Sequence, residues 1–294
     1  MILDVRIQQS VVANLSKRPT PVHTGPFVIG VDPGTDSPGI NYATPIPGAA
    51  ISGADVTALV AAFRSYARKP RLEYVVSTAP GLEELLLAAG FTVEERHEYL
   101  VCTPGSLRTP ATGTDPHEPA PTGIDPRGLA PAGIDPRRPA PAAADIDGRG
   151  HASAPAGYEL RGPVTDAELA AMIGAQNVAF GGEPTATEAD IARIRRLDAN
   201  GGVSVMAIAP DGTCAGGGQA VPPNDGVSEV AGIAVTPAHR RRGLAGAITA
   251  EITRRLFAAG VEIAWLEASG EDSWRVYERV GYRPSGRRLY IALD

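Results

Sequence analysis

Between Pro104 and Gly157 the chain has no Phe, Tyr or Trp and holds eleven of its 27 prolines. Proline fixes φ and removes a backbone donor, so neither a long helix nor a central strand can run through such a stretch. The stretch also repeats with a period of ten: Pro121-Thr122-Gly123-Ile124-Asp125-Pro126-Arg127 is followed by Pro131-Ala132-Gly133-Ile134-Asp135-Pro136-Arg137. A solenoid repeat must bury an apolar face, and these units carry too little Ile or Leu to do so. The expectation is a disordered, extended Pro/Gly/Ala-rich linker, partly polyproline II. The chain then divides into a first domain at 1–103, the linker at 104–156 and a second domain at 157–294.

Composition removes several function classes. Acidic residues outnumber basic ones by 33 to 27, a net charge of −6, which argues against nucleic acid as the partner. Apolar runs such as Val205–Ala209 fall far short of the ~20 residues that span a bilayer, so no membrane is expected. Met1 to Pro19 has no apolar core of a secretory signal, and the expected location is cytoplasmic. Cys102 and Cys214 form no CxxC or other metal-type cluster, so no metal site is expected.

Beyond the linker the pattern is a mixed α/β sheet. Strands are expected at Tyr158–Val164, Val203–Ala209, Cys214–Val221, Val227–Val235, Val261–Ala268 and Arg287–Leu293. Thr165 to Glu168 reads as a capping box that opens a helix, and a second helix fits Thr187–Ala199. Leu244, Ile248, Ile252 and Leu256 recur at i+4 up to Gly260, as in an amphipathic helix. A last helix begins around Ser269 and Asp272 and ends at Gly281.

The sharpest feature joins the fourth of these strands to the long helix: Val235-Thr236-Pro237-Ala238-His239-Arg240-Arg241-Arg242-Gly243-Leu244-Ala245. The first turn of a helix has unpaired N–H groups and the positive end of the macrodipole, which suits a pyrophosphate. Gly243 lets the backbone approach phosphates, and the arginines add charge-assisted hydrogen bonds. This arrangement resembles the GNAT (GCN5-related N-acetyltransferase) family, whose acetyl-CoA loop Arg/Gln-x-x-Gly-x-Gly/Ala is matched by Arg240, Gly243 and Ala245. Val276-Tyr277-Glu278-Arg279-Val280-Gly281-Tyr282 is similar to a second family element in the last helix.

The resemblance implies direct attack of an amine on the thioester of acetyl-CoA, with no covalent acyl-enzyme. It implies that Ile233, Ala234 and Val235 hold the cosubstrate and the developing oxyanion through backbone N–H groups. Arg240, Arg241, Arg242, Gly243, Leu244 and Ala245 would take the pyrophosphate. Gly232 would sit at a bulge that admits the pantetheine arm, and Tyr277 would be the general acid. A carboxylate on the strand is implied as base. Glu229 is the candidate, since on a regular strand it shares a face with Ala231, Ile233 and Val235. The family often has Asn seven residues before the Tyr; here Gly270 stands there, and Ser269 or Ser273 is the expected substitute. His239 is read as a surface or cosubstrate-edge residue. Gly216-Gly217-Gly218 is read as a close approach or bend beside the substrate cleft.

The first hundred residues hold a shifted copy. At an offset of 191 residues, Leu72-Glu73-Tyr74-Val75 overlies Ile263-Ala264-Trp265-Leu266, and Gly90-Phe91 overlies Gly281-Tyr282. Ala54 to Lys69 would be this copy's long helix, yet no Arg-x-x-Gly-x-Ala precedes it, and Leu86 stands where Tyr277 would be. The first domain is therefore expected to be a shortened, degenerate GNAT-like α/β domain. The whole reads as an acetyl-CoA-dependent N-acetyltransferase for a small-molecule or protein amine. The alternative is a non-catalytic acyl-CoA-binding sensor or interaction module. Acceptor and oligomeric state are not legible.

Overall fold

The computed structural model describes residues 2–108, 154–268 and 270–294. The decapeptide repeats and Ser269 lie outside the described residues. The first part runs α1 (Leu3–Leu15), β1 (Thr20–Thr24), β2 (Phe27–Val31), β3 (Tyr42–Pro45), α2 (Gly53–Ser65), β4 (Arg71–Val75), α3 (Leu82–Ala88) and β5 (Thr92–Cys102). The second runs β6 (Glu159–Arg161), α4 (Asp166–Ala179), α5 (Glu188–Ala199), β7 (Val203–Ile208), β8 (Cys214–Ala220), β9 (Val227–Val235), α6 (Leu244–Ala258), β10 (Ile263–Ala268), α7 (Glu271–Val280) and β11 (Arg283–Ala292).

Local chemistry accounts for many of these boundaries. Capping boxes Ser52/Asp55, Thr165/Glu168 and Thr187/Asp190 open α2, α4 and α5. Two expected boundaries move. The helix expected to reach Lys69 ends at Ser65, because Ala67 turns to positive φ. The strand expected from Arg287 begins at Arg283, because β5 gives it partners further back. The offset of 191 superposes the observed elements: α3 falls on α7 and β5 on β11. Among the described residues the first part shows no counterpart of β6 or of one of the two helices α4 and α5.

Both parts lie in one 11-stranded sheet of order β1-β2-β3-β4-β11-β5-β10-β9-β8-β7-β6. The two last strands are exchanged. β11 pairs antiparallel with β4 and β5, and β5 pairs antiparallel with β11 and β10. The cores follow the strands. Leu289 and Ile291 of β11 are packed among Phe27, Leu59, Phe63 and Leu72 of the first part. Leu100 and Cys102 of β5 are packed among Val230, Ile248, Ile252 and Val280 of the second. α1 lies on the opposite face over the seam, with Ile7, Val11 and Leu15 against Tyr42, Tyr99, Val227 and Trp265.

Candidate active site

β9 is paired with β8 from Val230 to Val235, but with β10 only at Val227, Ser228 and Glu229, opposite Ile263, Ala264 and Trp265. Beyond that point the two parallel strands separate, although β9 continues to Val235 and β10 to Ala268. A bulge lies in the separating stretch. Gly232 has φ +63, and the pairing of β8 with β9 shifts register between Gly217 and Gln219. Gln176 of α4 holds the bulge, donating from Nε2 to the Gly232 carbonyl at 2.7 Å and to Gln219 Oε1 at 2.6 Å. The positive φ favours glycine here, and an ideal Cβ would stand 2.6 Å from Gln219 Nε2 and 2.8 Å from Gln176 Nε2, pushing that pair aside.

The bulge corrects one sequence expectation. Glu229 shares its face with Ala231 but not with Ile233 and Val235, because the extra residue reverses the alternation. Gln219 opposite Ala231 meets α4, whereas an ideal Cβ on Gly218 would meet Ile233 and the α6 side chains Ile248 and Ile252. Backbone directions follow the same logic. Thr236 donates to the Ala215 carbonyl of β8, so Ala234 also turns its N–H toward β8. Val235, and Ile233 before it, turn theirs to the open side. The three glycines of β8 are packed from both faces: a Cβ on Gly217 would meet Met172 Cγ at 2.5 Å and one on Gly218 would meet Ile233 Cδ1 at 2.3 Å.

At the end of β9 the chain makes one 3-10 turn, Pro237–His239, and enters α6 through two left-handed residues, Arg241 (φ +59) and Gly243 (φ +77). No side chain caps α6, and an ideal Cβ on Gly243 would meet nothing within 4 Å. The N–H groups of the first turn around Leu244 and Ala245 therefore face open space beside the exposed Arg241 and Arg242. Arg240 is committed elsewhere. Its guanidinium donates to the carbonyls of Val235 (3.2 Å) and Ala179 (3.3 Å), tying the turn to β9 and to the end of α4. His239 is hydrogen-bonded through Nδ1 to the Tyr158 hydroxyl at 2.9 Å. The corresponding helix of the first part is the opposite case. The N-terminus of α2 is closed by its own Ser52/Asp55 box, and the Asp55 carboxylate sits where an anion would bind. The open turn of α6 and the split strands fit a diphosphate carrying an extended arm; α2 fits neither.

Tyr277 and Ser273 are both half-buried on α7, which packs on α6 and β10. The Tyr277 ring meets Tyr282 edge-on at 6.4 Å, and burial pushes its phenol up to about 12, so it keeps its proton at any ordinary pH. Glu229, half-buried, stands at the last paired position before the gap, beside Trp265. Burial pushes its carboxyl up to about 8; Arg288 and Arg18 oppose the rise, and Glu267 and Glu73 add to it. The charges around it come from both parts of the chain. Arg288 of β11 is 1% exposed, stacks on Trp265 at 5.1 Å, and is ion-paired to Glu267 and, at 3.6 Å, to Glu73 of β4. Tyr290 also donates to Glu267. Sequence reasoning did not find Gln176, Gln219 or this charged cluster, since their partners lie far apart in the chain. Among the described residues no group of three or more His, Cys, Asp or Glu could hold a metal ion, and no helix is long and apolar enough to cross a membrane.

Comparison with known proteins agrees with this geometry. Residues 169–282 match the model of the acetyltransferase (GNAT) family. The N-acetyltransferase Eis of Mycobacterium bovis (strain ATCC BAA-935 / AF2122/97) is 40% identical over 89 residues, which is 30% of this chain and 21% of that protein. Eis of Mycobacterium tuberculosis (strain ATCC 25177 / H37Ra) is 40% identical over 77 residues, 26% of this chain and 18% of that protein. The chain thus spans about a fifth of the length of these curated relatives. A GCN5-related N-acetyltransferase from Kribbella flavida superposes with a TM-score of 0.71 at 24% identity, covering 100% of this chain and 96% of that one. A tandem GNAT protein from the clavulanic acid biosynthesis pathway has a TM-score of 0.54 at 14% identity over 90% of this chain and 77% of its own.

Proposed function

We propose, from the match of residues 169–282 to the acetyltransferase (GNAT) family model, that the protein transfers an acetyl group from acetyl-CoA to a primary amine by direct attack. The observation that carries this reading is the split between β9 and β10 leading to the uncapped, glycine-led start of α6. The N–H groups at the start of α6, with Arg241 and Arg242, hold the diphosphate. The N–H groups of Ile233 and Val235 face the acyl end and polarise its carbonyl. Bound acetyl-CoA supplies the activated acetyl group. Tyr277, which retains its proton, gives it to the departing thiolate. Glu229, on the other face of the sheet, takes the proton of the attacking amine. The acceptor reaches it from the side of α4 and α5, over the loop that carries the exposed Phe180 and Glu183.

Calorimetric titration with acetyl-CoA, followed by thiol release with a panel of a polyamine, an aminoglycoside and an N-terminal peptide, tests the reading. Binding and turnover with at least one amine are expected. Binding without turnover on any amine would favour an acyl-CoA sensor instead, and no binding would overturn the assignment. Tyr277→Phe is expected to lower kcat by about 10²-fold while leaving the acetyl-CoA Kd within twofold, in line with the usual loss when a general acid is removed.

Glu229 gives the pH dependence. A base must be deprotonated, so kcat at saturating acceptor should rise about tenfold per pH unit below 8 and level off above it. Glu229→Gln should lower kcat and remove that limb. The same group acts on stability with a definite sign. Its folded pKa lies above the unfolded one, so between about 4.5 and 8 the native state binds the extra proton and stability falls as pH rises. Thermal unfolding should therefore show Glu229→Gln gaining on the wild type between pH 5 and pH 8. A wild-type kcat that is flat across pH 7–9 would exclude Glu229 as base.

A further inference from the structure

α7 carries Tyr277, is only ten residues long, and flanks the open gap, so something must fix where it ends. Its C-terminus is a left-handed glycine cap: Gly281 has φ +108, its N–H reaches the Glu278 carbonyl at 3.1 Å, and Tyr282 N–H reaches the Tyr277 carbonyl at 3.0 Å. The carbonyl of Val280 is satisfied from the other part of the chain. Arg108 N–H donates to it at 2.8 Å. The segment that delivers this bond is the tail of β5, residues 103–108, and it is built to hold one shape. Ser106 N–H and Leu107 N–H both donate to the Thr103 carbonyl, at 2.9 and 3.1 Å, and Ser106 Oγ accepts from Thr103 N–H at 2.9 Å.

The tail is pressed against the helix end. An ideal Cβ on Gly281 would lie 1.9 Å from the Ser106 carbonyl oxygen, so the two backbones are in contact with no side chain between them. Leu107 packs into the same cluster as Trp274, Tyr277, Val280 and Tyr282. Tyr282, which the Tyr277 ring meets edge-on, is in turn fixed to α6 through a 2.6 Å bond between its hydroxyl and Thr253 Oγ1. The end of α7 is therefore held by α6 on one side and by residues 103–108 on the other. Tyr277 sits three residues before Val280, less than one helical turn, so a tilt at that end moves the phenol directly.

We propose that residues 103–108 are a positioning element of the reaction: the tail of the first part's last strand clamps the end of α7 and thereby sets where the Tyr277 hydroxyl stands. This rests on the reading of Tyr277 as general acid. It gives the first part, which has neither the phosphate turn nor a counterpart of Tyr277, a direct influence on the chemical step. The device acts through backbone groups, which is why no sequence motif marks it.

Arg108→Pro removes the N–H that reaches Val280 and nothing else at that bond. With acetyl-CoA and the fastest amine of the panel above, we expect kcat to fall about tenfold or more, as misplacements on the order of 1 Å do, while the KM for acetyl-CoA stays within twofold. In a Tyr277→Phe background the same change should cost less than twofold, because the group it positions is gone. Arg108→Ala, which keeps the N–H, should retain more than half of the wild-type kcat. If Arg108→Pro fails to fold, Leu107→Ala takes its place in the same comparison. An Arg108→Pro enzyme with unaltered kcat, or a loss that is fully additive with Tyr277→Phe, overturns the clamp alone. A Tyr277→Phe enzyme with wild-type kcat overturns the acid role, and the clamp with it.

Discussion

Expressed without residues 1–108, the chain from 154 to 294 is expected to be insoluble or unfolded, and to recover when residues 1–108 are supplied as a separate polypeptide. Both strand partners of β11, β4 and β5, belong to the removed part. β10 would keep only its short pairing with β9. Leu100 and Cys102, both fully buried, would leave the core around Val230, Ile248 and Val280. At a net contribution of roughly 1 kcal/mol per hydrogen bond, and roughly 25 cal/mol per Å² of apolar surface, losing these three strand pairings exceeds the ~5–15 kcal/mol that stabilises a typical domain. The pairing is non-covalent, so co-expression should return both fragments in one complex by size-exclusion chromatography, with native circular dichroism. A soluble, monomeric 154–294 fragment that binds acetyl-CoA would mean that β11 can turn back and pair with β10, and would remove the case for an obligatory exchange.

Gly243→Asp should weaken acetyl-CoA binding about 10²-fold while leaving the fold intact. The position is already left-handed at φ +77 and open around its Cβ, and Asp tolerates that conformation better than most residues. As a cap on α6 its carboxylate would even satisfy first-turn N–H groups, as the Ser52 side chain does at the start of α2. That satisfaction is what costs the ligand. A diphosphate bearing about two negative charges would meet a third at about 5 Å, at a cost of roughly 1.5 kcal/mol even in water, and would lose charge-assisted bonds worth roughly 1.5 kcal/mol or more each. A loss of about 3 kcal/mol is about 10²-fold in Kd. Calorimetry reads the affinity and thermal unfolding the fold. Gly243→Ala, which adds the methyl but no charge, should lose about tenfold less. Equal losses in the two variants would mean that bulk, not charge, decides binding, and that the diphosphate lies elsewhere.

The two parts carry the same lesson about what a sequence contains. The turn before α6 and the shifted copy at an offset of 191 residues were legible, and the family resemblance implied the bulge at Gly232. Each depends on groups within a few residues: a glycine that must take positive φ, an apolar period, a helix start left without a cap. α1 and the three strands after it were not read, because short and locally ambiguous segments become helix or strand by what they pack against. The face of Glu229 was misread for a related reason. Alternation along a strand is local, but the bulge that reverses it is completed by Gln176 on α4.

What only the tertiary structure decided is partnership. The offset repeat makes β5 and β11 equivalent in pattern, so nothing in either strand says which part's sheet it will complete; the exchange is fixed by the sum of contacts across the seam. The raised pKa of Glu229 follows from burial among charges brought from β4, β10 and β11. The hold of Arg108 on Val280 joins residues 172 apart through backbone atoms that every amino acid shares. Sequence fixes dihedral preference and spacing, which are properties of neighbours along the chain. Desolvation, strand partnership and backbone contact at a distance are properties of neighbours in space.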